Sequence, residues 1–208
     1  DPVIILRSAS IQGRNINPGK FDTTLPQADL SLDLEAAIGA NQSVSGKLAI
    51  INSAAPGPLD QQKLPLRQFD ARLGGTLTAT TLESAIIDFG KAGKFTGSGK
   101  VDRDAPDAGI GQAKVALHTD KIDLQQIYSS INSTSIAGDI TLDSDGKTQT
   151  VRAKLGEAKL SLDLEATLAD SLVNLSKATL QAGKSSINAS GQISLKDEQP
   201  FKAVASTS

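Results

Sequence analysis

Leu30-Ser31-Leu32-Asp33-Leu34-Glu35-Ala36 decides the fold, because it recurs letter for letter as Leu160–Ala166, 130 positions later. Both copies alternate apolar and polar residues with period two, the pattern of a β-strand with one apolar and one hydrated face. A repeat of this length indicates a chain built from related β units. Repeated amphipathic strands make a long surface, and such a surface favours binding over catalysis.

The composition favours a β protein with an aliphatic interior. The 208 residues contain no Cys, Met or Trp, and only 3% are aromatic. Without cysteine, disulfides and thiolate metal sites are excluded. The 21 basic and 23 acidic residues are mixed along the chain without a basic stripe, so no nucleic-acid partner is expected. Because methionine is absent even at position 1, we expect a segment of a longer protein.

The alternation continues along the chain and predicts antiparallel sheet with one protected face. Phe69–Ala79 has the pattern of one long strand. Asp145-Gly146 predicts a hairpin turn between Ile140–Leu142 and Val151–Leu155. Apolar residues spaced i, i+3, i+4 and i+7 from Leu124 predict one short helix near 123–131.

Two further signals concern the strand interiors and the helix start. Asp123 precedes the predicted helix and is a plausible N-cap. Gly46 and Gly138 are each followed by apolar residues at the second and fourth positions. Since glycine inside a strand usually costs stability, its recurrence predicts a bend, a bulge or a close backbone approach.

The order and spacing of these segments resemble the repeats of the TamB and AsmA-like envelope proteins of Gram-negative bacteria. An apolar strand is followed by Ala-Gly-x-x-x-apolar-x-Ala-x-Gly-x-apolar, here Ala182–Ile193. The match is good over Val115–Ala205 and looser over Leu30–Val101. We therefore divide the chain into β-repeat segments 1–112 and 113–208 of one continuous fragment. The segments that carry the resemblance are Ile122–Leu124, Ser135–Ile140, Val151–Leu155, Leu160–Leu164, Leu175–Leu195 and Pro200-Phe201.

The resemblance implies a fold and a setting. The fold is all-β, an elongated twisted antiparallel sheet curled into a U-shaped, taco-like groove with an apolar interior. The setting is the periplasm, with the parent protein anchored in the inner membrane. The implied function is phospholipid transport between the inner and outer membranes, with acyl chains as partners and without cofactors. Members of the family also act with the outer-membrane barrel TamA, and we expect other parts of a longer parent chain to make that contact.

Physical chemistry supports an aliphatic binding surface independently of the resemblance. A continuous apolar sheet face must be covered by the sheet itself, by a partner or by lipid. Aliphatic walls suit acyl chains, which need area and no fixed orientation. Three readings stay open: a lipid groove, a closed structural β-repeat, and a scaffold for outer-membrane protein assembly by edge-strand pairing. The residues predicted to line the groove are Leu30, Leu32, Leu34, Leu48, Leu73, Leu77, Val115, Leu117, Ile136, Ile140, Leu142, Leu160, Leu162, Leu164, Leu168, Ile187, Ile193 and Leu195.

Candidate catalytic and metal groups are few, and we expect no enzyme. His118 is the only histidine, so a triad or a metal site would have to recruit carboxylates alone. Asp33 and Glu35 share one strand face, as Asp163 and Glu165 do in the second copy. They alternate with leucines that need protection, so their side chains are expected to point to solvent.

Overall fold

The computed structural model describes residues 7–39, 42–103, 111–195 and 202–207, which leaves Pro200 and Phe201 outside the described residues. They form one antiparallel sheet whose strand order is the chain order, with β1 and β13 as its edges. The predicted all-β fold is confirmed, and the open sheet is consistent with a curled groove. The strands are β1 Ser8–Ile16, β2 Leu30–Ile38, β3 Val44–Asn52, β4 Gln68–Gly75, β5 Ala79–Asp88, β6 Lys94–Asp102, β7 Gln112–Ile122, β8 Ile136–Asp145, β9 Thr148–Glu157, β10 Leu160–Ala169, β11 Leu172–Ala182, β12 Ser185–Ser194 and β13 Lys202–Thr207.

The sheet of thirteen strands is wider than most open sheets. Twisted open sheets rarely exceed about ten strands without curling. The boundary drawn between positions 112 and 113 falls inside β7, which pairs with β6 on one side and β8 on the other. Both β-repeat segments therefore belong to the same sheet.

Four strands carry a bulge, and the bulges keep apolar residues on one face where the alternation breaks. The bulges lie at Gly13–Ile16 in β1, Leu82–Ala85 in β5, Thr119–Ile122 in β7 and Leu175–Ala178 in β11. In each strand two same-face residues are three positions apart, because one extra residue is inserted between them. A bulge also bends its strand and increases the local twist.

The predicted hairpin turn at Asp145-Gly146 is confirmed. It joins β8 to β9, and Gly146 adopts a φ of +91°. The Asp145 carboxylate accepts hydrogen bonds from the backbone N–H groups of Lys147 at 2.9 Å and Thr148 at 2.8 Å. An aspartate that bonds its own turn in this way fixes the hairpin register.

The prediction of one strand over Phe69–Ala79 is wrong. β4 ends at Gly75, where φ is +111°, and β5 begins at Ala79. The Thr76 hydroxyl accepts a hydrogen bond from the Ala79 N–H at 3.0 Å and closes the turn. Leu77 therefore lies in a turn and not on a strand face, and its N–H donates to the Gln42 carbonyl at 3.2 Å.

The helix predicted near 123–131 is shorter than expected. Asp123 does act as the cap, accepting from the Gln125 N–H at 3.2 Å, but only a 3₁₀ turn over Leu124–Gln126 follows. Past this turn the Ser129 N–H bonds a partner outside the segment, while the Leu124 N–H, which has no acceptor inside a helix, is satisfied by a side chain. The Leu124 N–H donates to the Thr134 hydroxyl at 2.8 Å, and the Ser129 N–H donates to Asp60 at 2.9 Å.

Other helical turns lie between the strands. α1, Pro18–Phe21, is capped by the Asn17 side chain, which accepts from the Gly19 N–H at 3.1 Å. Two more 3₁₀ turns cover Leu59–Gln61 and Gly90–Ala92. All are single turns, so they connect strands and cover little of the sheet.

The connections 17–29, 53–67, 89–93 and 123–135 lie together at one end of the sheet, here called the rim. The buried Asn52 accepts from the Asp29 N–H at 3.0 Å and donates to the Leu66 carbonyl at 2.9 Å. The Leu59 N–H donates to the Ile127 carbonyl at 2.8 Å, which joins connections four strand spacings apart. Most of the buried residues gather here: Ala28, Asn52, Ala92, Ile122 and Asp123.

Candidate functional site

The strand register places nearly all the predicted lining residues on one face of the sheet. Directly paired residues of an antiparallel ladder point to the same side. Leu34 is opposite Leu48, and Leu162 lies between Leu155 and Leu180. Followed from β2 to β12, these pairs join every predicted lining residue that lies in a strand into one continuous surface, here called the aliphatic face.

Leu77 and Leu195 are the two predicted lining residues that lie outside the strands. Leu77 occupies the turn described above. Leu195 follows the end of β12, is 61% exposed, and donates its N–H to the Ser171 carbonyl at 2.7 Å. We leave both out of the aliphatic face.

Sequence reasoning missed part of this face. The missed residues on the bulged strands β5 and β11 are Leu82, Ala85, Ile87, Val173, Leu175, Ala178 and Leu180. A strict period of two cannot find them, because the bulges separate same-face residues by three positions. A search that allows one inserted residue per strand recovers both sets.

The aliphatic face is only half covered. Leu162 and Leu164 are half-buried, whereas Leu73 is 41% exposed and Ile187 is 46% exposed. Among the described residues, the buried hydrophobic side chains of the strands are Ala85, Ala153 and, at the rim end of β7, Ile122, and Ile122 is the only large one of the three. A closed dry core would bury the large side chains, so this face is open over much of its area.

Small residues indicate which side of the sheet is concave. Ala85 and Ala153 on the aliphatic face are buried, whereas Ala116 on the opposite face is exposed. A methyl group is shielded by its neighbours on the concave side of a curved sheet and exposed on the convex side. Around β5 to β9 this pattern is consistent with a sheet that curls towards the aliphatic face.

The opposite face is polar and carries ion pairs between strands. Arg152 donates to Glu165 at 2.9 Å and to Asp143 at 3.2 Å, so it links β8, β9 and β10. Lys177 donates to Asp163 at 2.6 Å, and this bond lowers the pKa of the Asp163 carboxyl. Such exposed pairs contribute little to stability, because solvent screens them. Their placement confirms that the paired carboxylates point away from the leucines.

His118 belongs to the same polar face. Its Nδ1 lies 2.7 Å from Asp139 and its Nε2 lies 3.2 Å from Asp120. The hydrogen bond with Asp139, and then that with Asp120, raises the histidine pKa. In the described part of the chain, no group of three or more His, Cys, Asp or Glu residues is placed to hold a metal ion.

No protein-family model matches this chain, and neither does any curated protein or solved structure in the comparisons. Over residues 7–39, 42–103, 111–195 and 202–207, no helix has the length and apolar character needed to cross a membrane. The features that bear on function are therefore the aliphatic face, the rim and the sequence pattern.

Proposed function

We propose that this chain binds lipid acyl chains along its aliphatic face and conducts phospholipid between the inner and outer membranes in the periplasm. The observation that carries the proposal is an aliphatic wall that continues through the strands of an open sheet and stays half exposed. Exposed apolar patches of such extent mark interaction sites on soluble proteins. The sequence pattern adds the proposal that the chain is a TamB or AsmA-like segment.

The binding free energy suits an acyl chain that is held on the aliphatic face and can still slide along it. Burial of each CH₂ contributes about 0.8 kcal/mol, so a sixteen-carbon chain gains on the order of 10 kcal/mol at full burial. An open wall covers only one side of the chain and gives less. Because aliphatic side chains offer no polar anchor, neighbouring positions along the wall differ little in energy. This is the property that a conducting surface needs, and no catalytic step is part of the proposal.

Leu162→Asp tests the proposal near the start of β10. Leu162 lies between Leu155 and Leu180, so an aspartate there places a charge on the lipid path. We expect the Leu162→Asp variant to co-purify with at least tenfold less lipid than the unsubstituted chain. Native mass spectrometry and lipid extraction measure the amount of bound lipid.

The matched control is Ser161→Asp, which adds the same charge to the exposed side of the same strand. We expect it to retain lipid. A folded Leu162→Asp variant that carries as much lipid as the parent chain would contradict the proposal, as would a parent chain that takes up no fluorescent fatty acid.

The alternative function is a scaffold for outer-membrane protein assembly, acting with a TamA-like barrel. The open edge of β13 favours it, because all six residues of that strand are exposed. An unpaired edge can add a client strand through backbone hydrogen bonds. Client binding that is lost with Ala203→Pro or Val204→Pro, yet survives Leu162→Asp, would favour the scaffold over the lipid groove.

A further inference from the structure

A cavity of about 530 Å³ lies in the rim. Connection 53–67 contributes Ala55–Pro58, Lys63 and Arg67 to its lining. Connection 89–93 contributes Phe89–Lys91, and connection 123–135 contributes Gln126. Small-ligand sites have volumes of roughly 300–1,000 Å³. The bond between the Leu59 N–H and the Ile127 carbonyl ties two of these connections together at 2.8 Å. The cavity is therefore held by several parts of the fold.

The lining of this cavity is cationic and contains no carboxylate. Lys63, Arg67 and Lys91 supply its charges. Asp88, just outside the lining, accepts hydrogen bonds from Arg67 and from the Gly90 N–H, so it neutralises one of the three. Neither Lys63 nor Lys91 has a carboxylate within ion-pair distance among the described residues. Two uncompensated positive charges thus converge here, in a chain whose net charge is −2.

The cavity also adjoins the aliphatic face. Phe89 lines the cavity, and its ring packs edge-on against Phe95 with 6.4 Å between centroids. Phe95 is opposite Ile87, which is opposite Phe69, so it lies on the aliphatic face. A molecule with an apolar chain and an anionic end can therefore span the wall and the cavity at once.

We propose that the rim cavity binds the phosphate group of an amphiphile whose acyl chain lies on the aliphatic face. Lys63 and Lys91 act as point charges, and Arg67, oriented by Asp88, presents its remaining N–H donors. This inference rests on the proposed function, because it names the headgroup chemistry that enters the groove. It also makes the rim an entry site that selects anionic phospholipid.

The test is the double variant Lys63→Gln/Lys91→Gln, with Lys100→Gln/Lys114→Gln as the charge-matched control. Lys100 and Lys114 are cross-strand neighbours on the polar face, far from the lining. Calorimetry measures binding of lysophosphatidylglycerol, of dodecyl maltoside and of glycerol 3-phosphate. Since each lost charge-assisted bond weakens binding on the order of tenfold, we expect the rim variant to lose at least that factor for lysophosphatidylglycerol. Dodecyl maltoside should bind both variants and the parent chain equally.

Equal binding of lysophosphatidylglycerol by the rim variant and the parent chain overturns the inference. Glycerol 3-phosphate binding as tightly as the lipid would overturn the lipid part and assign the cavity to a free phosphate ester. If neither amphiphile binds the parent chain, the proposed function fails. Phosphate binding in the rim cavity is then tested by NMR of the unsubstituted chain. Glycerol 3-phosphate should shift the amide signals of Gly90 and Lys91, and unchanged signals would overturn phosphate binding as well.

Discussion

At the residue scale, His118 shows how the polar face responds to pH. Asp139 first, and Asp120 second, raise its pKa above the ordinary value of 6.5. A histidine with a raised folded pKa contributes stability that is fully present below 6.5. That contribution is lost as the pH rises through the folded value. We expect an NMR titration to give His118 a midpoint above 6.5.

Asp139→Asn should bring the midpoint down, since it removes the larger of the two causes. Asp33→Asn, on distant β2, serves as the control and should leave the titration unchanged. A parent midpoint at or below 6.5 would contradict the arrangement of the two carboxylates around the ring.

Gly46 and Gly138 occupy the same place in the sequence pattern but differ in structure. Gly138 has a φ of +140°, and a Cβ there would overlap the Lys154 carbonyl oxygen of β9. At Gly46 a Cβ would make ordinary contacts at 3.5–3.6 Å. A close backbone approach, one of the three predicted alternatives, is thus present at Gly138 and absent at Gly46.

Alanine substitution should separate the two glycines. We expect Gly138→Ala to lower the free energy of unfolding by about 1–3 kcal/mol, through strain at positive φ and the overlap. Gly46→Ala should raise it by about 0.4–1 kcal/mol, because the unfolded chain loses freedom. Urea denaturation measures both, and equal effects would show that the Gly138 backbone relaxes.

At the scale of elements, strands without bulges could be predicted from the sequence. β10 runs from Leu160 to Ala169 without interruption, and its alternation alone assigned its inner face. The inner-face residues of β5 and β11 were not predicted, because an inserted residue breaks the period of two in each strand. The helix near 123–131 was overestimated because the Ser129 N–H donates to the Asp60 carboxylate, 69 positions away in the sequence, and does not continue the turn.

The candidate site also has one part that the sequence predicts and one part that it does not. The aliphatic face follows from local alternation plus register, so a sequence can supply most of it. The rim cavity depends on Lys63, Arg67 and Lys91, which come from two separate connections. No local pattern marks these cations as neighbours, since only the pairing of β4 with β5 and β5 with β6 brings their connections together.

At the scale of the whole molecule, the sheet is a linear array in which each strand contacts mainly its two neighbours. The stability of such an array is approximately a sum of local and nearest-neighbour terms. The buried residues of the rim lie between Ala28 and Asp123, whereas β13 at the far edge is exposed along its length. The free energy of local unfolding should therefore decrease from the strands between Ala28 and Asp123 towards β13 at the C-terminal edge.

Hydrogen exchange followed by mass spectrometry measures this gradient. We expect peptides covering β12 and β13 to exchange faster than those covering β7, where Thr119 and Ile122 are buried. Local opening at an edge strand costs less free energy than opening at a packed element. Bound acyl chain should slow exchange in the inner strands and leave the order unchanged. Uniform exchange over all strands would mean that the sheet unfolds as one cooperative unit, and the additive description would then be wrong.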